Sequence, residues 1–311
     1  MVKQSSSPRS SSLALDHDVV VFPTRPTTYV PPVFPAQRGS RSVRAKAGVR
    51  AHAIRQVVVL EVAGRLSEVI EDLDRAIAPA LADGPRGVVC DLSDLSDLSD
   101  LSDVSDLSLM SEGAEASAVE VLATAGRHVR DWPGVPVAVA CPDLRVLEAL
   151  RVHPLGRHLI VSTSMLSAVS AVLATPIPAV ELLGLTPHPT SPRAARNFVA
   201  RILQDWGLDS LIPWAALVVS ELVTNSTIHA GTDIVLSLSW SQDALRLTVR
   251  DDSPDLPRQW YAESDLHGRG LSIVAGLSRA DGFMPTSDGG KVVWAVLNAA
   301  SADPSDQAAL G

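Results

Sequence analysis

The chain has 311 residues, enough for two domains with separate cores, and 46% of them are hydrophobic. Its two cysteines, Cys90 and Cys141, are too few for a disulfide scaffold and too far apart for a paired metal-ligand motif. The net charge of −9 and the 4% aromatic content disfavour direct binding of nucleic acid. Because no uninterrupted apolar run approaches a membrane span or a signal peptide, we expect a cytoplasmic protein that does not contact a membrane.

The two ends of the chain differ in composition from the rest. Residues 1–54 are rich in serine, proline and basic side chains and show no hydrophobic period, so we predict a disordered basic tail. A tether for nucleic acid or an acidic partner would fit the basic stretch RGSRSVRAKAGVR, but a solvated leader or an over-long start assignment is the simpler interpretation. Residues 300–311 are predicted to form a flexible C-terminal tail.

Residues 55–175 alternate short apolar runs with amphipathic segments, which predicts an α/β domain. The predicted strands are QVVVLEV from Gln56, GVVCDL over 87–92, VPVAVAC over 135–141 and HLIVS over 158–162. The predicted helices cover 68–81, 115–129, 144–152 and 165–174.

A tandem of six Asp-X-Ser triplets occupies residues 91–108. A period of three matches neither a strand nor an α-helix, and its six carboxylates repel one another, so we predict a solvated loop. A calcium-binding loop is the sharper alternative, but the segment lacks the ligand spacing, the turn glycine and the terminal glutamate of an EF-hand.

Five prolines within residues 176–192 predict an interdomain linker over 176–190. A second α/β domain over 191–299 follows. Ser191 and Pro192 favour a helix start, and the helix should extend to about Trp206. The later predicted elements are a helix over 213–229, strands from Ile234 and Ala244, a polar loop over 252–268, a helix over 271–277 that Gly270 opens, and the strand VVWAVL.

Polar residues that could act in catalysis or binding occur at three points of this second domain. Glu221, Asn225 and His229 are four residues apart and lie on one stripe of the predicted helix. Asp251 ends an apolar strand, and the sequence HGRGLSIV places two glycines where a helix begins, which suits phosphate binding. A Rossmann fingerprint is disfavoured because residue 273 is isoleucine, and the chain has no P-loop motif.

The order of these motifs resembles the GHKL ATPase family, specifically the anti-sigma-factor serine kinases related to histidine-kinase ATPase domains. The resemblance spans about residues 190–298 and rests on Glu221-Leu-Val-Thr-Asn225, Asp251, Gly268-Arg-Gly270-Leu and Gly290-Lys-Val-Val-Trp294. It implies an α/β sandwich that holds ATP beneath a mobile lid. In that fold Asn225 would bind Mg²⁺, Glu221 would be the catalytic base or would position the nucleophile, and Asp251 would accept a hydrogen bond from the adenine amino group. The phosphates would lie against Gly268, Arg269, Gly270 and Leu271.

This chain departs from the family pattern at the adenine side. Ser253 and Asp255 replace the glycines that usually follow the adenine-binding aspartate, and Gly290 stands where many relatives have threonine. These differences predict weaker nucleotide binding than is usual in the family.

The first domain resembles the STAS domain of anti-sigma-factor antagonists across residues 56–175. The resemblance rests on VVVLEVAGRLS, GVVCDLS and VPVAVACP in that order. The phosphoacceptor signature of that family is not intact, and Ser111 is its nearest counterpart, although a serine at a helix start also serves as an N-cap.

The two resemblances together imply an ATP- and Mg²⁺-dependent protein-serine kinase of the anti-sigma-factor type. It would phosphorylate a STAS-type antagonist in a partner-switching system and thereby alter binding to a sigma factor, so its partners would be a STAS-type anti-anti-sigma protein, a sigma factor or both. They are also compatible with a homodimer. A non-catalytic, ATP-gated protein-binding regulator is the alternative from another class. A histidine autokinase is disfavoured because no helix pair with a phosphoacceptor histidine precedes the second domain.

Overall fold

The computed structural model describes residues 48–97, 134–241, 243–255 and 269–298. Within them the chain is a mixed α/β protein, as the sequence predicted, and it has two five-stranded sheets and six α-helices. The predicted helix over 115–129, the later triplets of the tandem, Ser111 and Gly268 lie outside the described residues.

The first sheet has the strand order β1-β2-β3-β4-β5. Its strands are β1 (Gly48–Ile54), β2 (Val57–Arg65), β3 (Gly87–Asp97), β4 (Val137–Ala140) and β5 (Ile160–Ser162), and its helices are α1 (Leu66–Ala82), α2 (Leu144–Val152) and α3 (Met165–Ala174). Strand β1 is antiparallel to β2, whereas β2 to β5 are parallel to one another. The continuous apolar runs of β2 and β3 follow from burial on both faces, since Val57 and Val89 belong to the cluster with α3 while Val58 and Val88 belong to the cluster with α1.

Two sequence predictions about this sheet are wrong at their boundaries. Residues 48–54, predicted as part of the disordered tail, form strand β1 and pair along their whole length with β2. The turn between them places Arg55 and Gln56 at φ angles of 53° and 87°, a conformation usually signalled by Asn-Gly, so the sequence carried no hairpin signal. Residues 91–97 of the predicted loop continue strand β3 instead, because pairing with β2 satisfies their backbone groups.

The second sheet is entirely antiparallel, with the strand order β6-β7-β8-β10-β9. Its strands are β6 (Ala179–Leu185), β7 (Ile234–Ser241), β8 (Ala244–Asp251), β9 (Ala280–Pro285) and β10 (Lys291–Asn298), and its helices are α4 (Ser191–Asp205), α5 (Ile212–His229) and α6 (Arg269–Leu277). The predicted linker over 176–190 is wrong for residues 179–185, which form edge strand β6 between flanking prolines. Strand β9 was not predicted.

The second sheet is covered on both faces by different parts of the chain. Along β10, Val293, Ala295 and Leu297 belong to the cluster formed with α4, α5 and α6. The alternate residues Val292 and Trp294, on the opposite face, belong to the cluster that contains α1. The first unit is the part of the chain with β1 to β5 and α1 to α3, and the second unit is the part with β6 to β10 and α4 to α6. Helix α1 also contacts β9, so the first unit packs on the sheet face opposite to the three helices.

Polar groups also take part in the contact between the two units. The Ser287 hydroxyl donates a hydrogen bond to Asp83 across 2.8 Å, and burial raises the pKa of the Asp83 carboxyl. On the α1-facing side of β8, burial lowers the pKa of Arg246 to about 10, so its guanidinium remains charged at neutral pH. The contact between the units therefore combines apolar packing with polar and charged side chains.

Among the described residues, the segment Asp209–His229 is the one helical stretch whose length and composition would allow it to cross a membrane. Val218, Val219, Leu222 and Val223 of this segment are buried in the cluster beneath the sheet. These contacts are those of a core helix.

The packing of Trp294 predicts a large loss of stability when its side chain is removed. Trp294 is 6% exposed, and a Cβ on Gly282, its cross-strand neighbour, would lie 3.0 Å from the indole. We expect Trp294→Ala to lower the free energy of unfolding by about 3–5 kcal/mol, as measured by urea denaturation. The matched control Val180→Ala, at a side chain 47% exposed, should change it by less than about 0.5 kcal/mol. Equal effects of the two substitutions would contradict this packing.

Candidate functional site

The site is built around the carboxylate of Asp251, the last residue of β8, whose side chain is 0% exposed. Lys291 begins β10 and is the direct cross-strand partner of Asp251. Its ammonium Nζ lies 2.7 Å from Asp251 Oδ1, and the lysine side chain is only 7% exposed. The sheet register therefore places a charged pair in the interior, on the face that the helices cover.

Three donors of the chain already engage the Asp251 carboxylate. Besides Lys291, the Ser253 backbone N–H donates to Oδ1 across 3.1 Å, and the Ser226 hydroxyl donates to Oδ2 across 2.8 Å. Lys291 Nζ also donates to the Ser253 carbonyl across 3.3 Å. A buried charge is tolerated when it is paired and hydrogen-bonded in this way.

Gly290 permits the close approach of two backbones beside this pair. A Cβ at position 290 would lie 2.4 Å from the Asp251 carbonyl oxygen and 3.1 Å from Cα of Asp252. No side chain fits at such distances, so glycine is required here by space. This gives a physical reason for the glycine in the Gly290-Lys motif.

Helix α5 carries the predicted catalytic and metal-binding residues Glu221 and Asn225, both half-buried. Ser226 follows Asn225 directly and is bonded to Asp251, so the last turns of α5 are held at the end of β8. His229 is exposed at the end of the helix. The structure thus brings the Asn225 turn and Asp251 together, with Glu221 one helical turn before Asn225.

The predicted phosphate-binding segment is described only in part. Helix α6 begins at Arg269, two residues before the predicted first helical residue, and Gly270 lies within it. Leu271 is half-buried and packs against the apolar cluster beneath the sheet, and α6 contacts α5. Gly268 and the predicted lid residues from 256 onward are outside the described part of the chain.

Sequence reasoning gave no role to two residues of this site: it did not single out Ser226, and it quoted Lys291 only as part of the Gly290-Lys-Val-Val-Trp294 motif. Ser226 lies four residues after Leu222 on the buried stripe of α5, and a hydroxyl on an apolar stripe could have signalled a buried polar partner. Lys291 is 40 residues from Asp251 in the sequence, and only the strand register reveals their pairing.

The turn between β9 and β10 holds Lys291 in place from outside the site. Thr286 donates to Asp288 Oδ1 across 2.6 Å, and this hydrogen bond is the main cause of the lowered pKa of the Asp288 carboxyl. Arg250 forms an ion pair with Asp288, and Ser287 bonds to Asp83 of the first unit. The turn that precedes Lys291 is therefore bonded both to β8 and to the end of α1.

The donor set near Asn225 suits a magnesium ion that is bound mainly by phosphate. The described residues contain no group of three His, Cys, Asp or Glu side chains that could hold a metal alone. One amide oxygen, as Asn225 offers, matches an ion whose other ligands are phosphate oxygens and waters. The residues present therefore fit Mg²⁺ delivered with a nucleotide and do not form a separate metal centre.

Two cavities among the described residues lie away from Asp251. One, of about 240 Å³, lies between the start of α5 and the end of α6 and includes Trp214 and Arg279 in its lining. The other, of about 340 Å³, is lined by Ala53, Arg55, Gln56 and Leu173 in the first unit. Neither is lined by Glu221, Asn225 or Asp251.

Comparison with known proteins identifies no family for this chain. No protein-family model matches it, and no curated protein matches it. Among solved structures, the NMR structure of the protein TM1081 aligns over 44% of this chain and 100% of its own length, at 16% sequence identity and a TM-score of 0.29. A similarity at this TM-score carries no argument about fold or function.

The bond between Ser226 and Asp251 predicts unequal effects of two serine substitutions on α5. Ser226→Ala leaves a buried carboxylate oxygen without its donor and should lower the free energy of unfolding by about 1–3 kcal/mol. The control Ser220→Ala removes a half-buried hydroxyl that donates to the Ala216 carbonyl of the same helix and accepts from Arg196 Nη1 at an exposed position. It should cost less than about 1 kcal/mol. Thermal or urea unfolding of both variants tests this order, and a greater loss for Ser220→Ala would refute it.

Proposed function

We propose that residues 191–299 bind Mg·ATP and act as a regulatory protein-serine kinase of the anti-sigma-factor type. The observation that carries this proposal is the Ser226–Asp251 hydrogen bond, which holds the Asn225 turn of α5 at the end of β8. The helix turn that carries Asn225 and the buried carboxylate of Asp251 are thereby adjacent on the helix-covered face of one sheet, and Glu221 is one helical turn before Asn225. This is the grouping that the resemblance to GHKL kinases implies.

Each residue has a role suited to its chemistry. The Asn225 amide oxygen would bind a Mg²⁺ ion, which when bound neutralises charge on the phosphates. Glu221, one turn earlier, would accept the proton of the attacking serine hydroxyl or orient that hydroxyl. Asp251 would face the base, and the backbone N–H groups at the start of α6 would face the phosphates. Phosphoryl transfer depends mainly on such positioning and on charge neutralisation.

The substrate of the proposed kinase is a STAS-type anti-anti-sigma protein on a separate chain. The first unit of this chain contacts the second sheet through α1, on the face opposite to Asp251 and Lys291. The sheet itself therefore lies between that contact and the candidate site. A separate STAS-type protein, or a sigma factor whose binding it controls, remains the partner that the resemblance implies.

A second candidate function is an ATP-gated regulator without phosphoryl transfer. It is favoured by the Lys291 ammonium, which already engages the carboxylate that would bind adenine. Such a protein would use nucleotide binding to change a protein-binding surface and would leave its partner unmodified.

Phosphoryl transfer can be tested with labelled ATP, Mg²⁺ and a panel of STAS-type proteins. We expect label on serine of a partner with the unaltered chain, and a loss of at least about 100-fold with Glu221→Ala, because a positioned base contributes that much to rate. His229→Ala, at an exposed position on the same helix stripe, is the matched control and should retain activity. Nucleotide binding without any label would favour the ATP-gated regulator.

Nucleotide binding itself can be tested at Asn225. Asn225→Ala should abolish measurable Mg·ATP binding by calorimetry while the unfolding temperature stays within a few degrees of the unaltered chain, since a half-buried amide contributes little to packing. Unchanged affinity for Mg·ATP in this variant would exclude Asn225 from the site.

Transfer to a separate chain predicts a concentration dependence. If the unaltered protein labels its own first unit at all, the initial rate per molecule should rise in proportion to protein concentration, because the reaction joins two chains. A rate per molecule that is independent of concentration would mean that the chain modifies itself internally, against the arrangement of the two sheet faces.

A further inference from the structure

Lys291 holds the one buried carboxylate that the proposed function assigns to recognition of the base. Its ammonium lies 2.7 Å from Asp251 Oδ1, while Ser226 and the Ser253 N–H complete the donors of that carboxylate. The lysine is itself held by the Ser253 carbonyl and by its strand register opposite Asp251. The strand register therefore fixes the pair, and the lysine is a buried side chain and not a mobile one at the surface.

We propose that Lys291 competes with the 6-amino group of a purine nucleotide for the carboxylate of Asp251. This inference rests on the proposed function, because it takes Asp251 as the base-recognising residue. An amino group of a nucleotide must share or displace donors that the chain already supplies. Lys291 therefore lowers the selectivity of the site for a base that carries this amino group.

The competition is unequal because the two donors differ in charge. Both would form charge-assisted hydrogen bonds to the carboxylate, but Lys291 adds the Coulomb attraction of a full positive charge 2.7 Å from Asp251 Oδ1. The 6-amino group of adenine is neutral, so putting it in the place of Lys291 gains no energy at Asp251. Binding by this chain is then driven by the triphosphate and its Mg²⁺, and a purine with or without the amino group binds almost equally well.

Removing the lysine charge should restore selectivity for the amino group. In Lys291→Met, one oxygen of Asp251 loses its charged donor, and the amino group of ATP can take its place. Oδ1 then keeps only the Ser253 N–H as a donor, and a further hydrogen bond to this charged acceptor corresponds to about tenfold or more in affinity. Lys291→Arg keeps the positive charge beside Asp251 and is the matched control.

The experiment measures dissociation constants of the full chain by calorimetry for Mg·ATP and for the Mg complex of purine riboside triphosphate, which lacks the 6-amino group. We expect the two constants to agree within about twofold for the unaltered chain and for Lys291→Arg. We expect Lys291→Met to prefer ATP by about tenfold or more. The ratio of the two dissociation constants for the unaltered chain already tests the proposal, whether or not the variants fold.

The outcomes separate the competitor role from the proposed function. A preference of tenfold or more for ATP in the unaltered chain would overturn the competitor role and leave the proposed function standing. A folded Lys291→Met, verified by circular dichroism, that binds both nucleotides equally would overturn it as well. If neither nucleotide binds the unaltered chain or any folded variant, the proposed function fails, and the competitor role fails with it.

Discussion

The buried ion pair between Asp251 and Lys291 is the constraint on which the second unit's site depends. Moving two charges out of water costs several kcal/mol for each ion, and the cost is offset only when the remaining hydrogen-bonding capacity is also used. Ser226 and the Ser253 N–H supply those further bonds to Asp251. Helix α5 must therefore lie where Ser226 reaches the end of β8, and the position of Asn225 follows from it.

Side chains alternate between the two faces of the second sheet, so one face carries the candidate site and the other packs against the first unit. One face of β10 packs beneath the helices with Asp251 and Lys291 at its end, whereas the other face packs with α1 of the first unit. The turn before Lys291 is the place where these two roles meet, because Ser287 of this turn bonds to Asp83. The turn therefore contacts the first unit through Asp83 and strand β8 through the ion pair of Asp288 with Arg250.

The sequence was sufficient where one segment carries its own pattern. Helix α5 was predicted from Pro213 to His229 and observed at Ile212–His229, so the spacing of Glu221 and Asn225 followed directly. It was insufficient where pairing partners decide the structure. Strand β6 lies between prolines whose local signal indicates a linker, yet hydrogen bonds to β7 along its whole length define it as a strand. Lys291 was part of a quoted motif, but its pairing with Asp251 gave no local signal, since the two residues are 40 positions apart.

The choice of charged residues at positions 251 and 291 is hard to explain by stability alone. Well-packed apolar residues in place of a buried ion pair are often neutral or stabilising, and both neighbours along β8 and β10 on this face, Val249 and Val293, are apolar. A valine pair would continue that core without desolvating two ions. The charges stand instead where the core ends and the Asn225 turn begins, next to the Gly290 backbone that admits no side chain. Their position at this boundary fits the proposed competition between Lys291 and a nucleotide amino group for Asp251 better than it fits a requirement of folding.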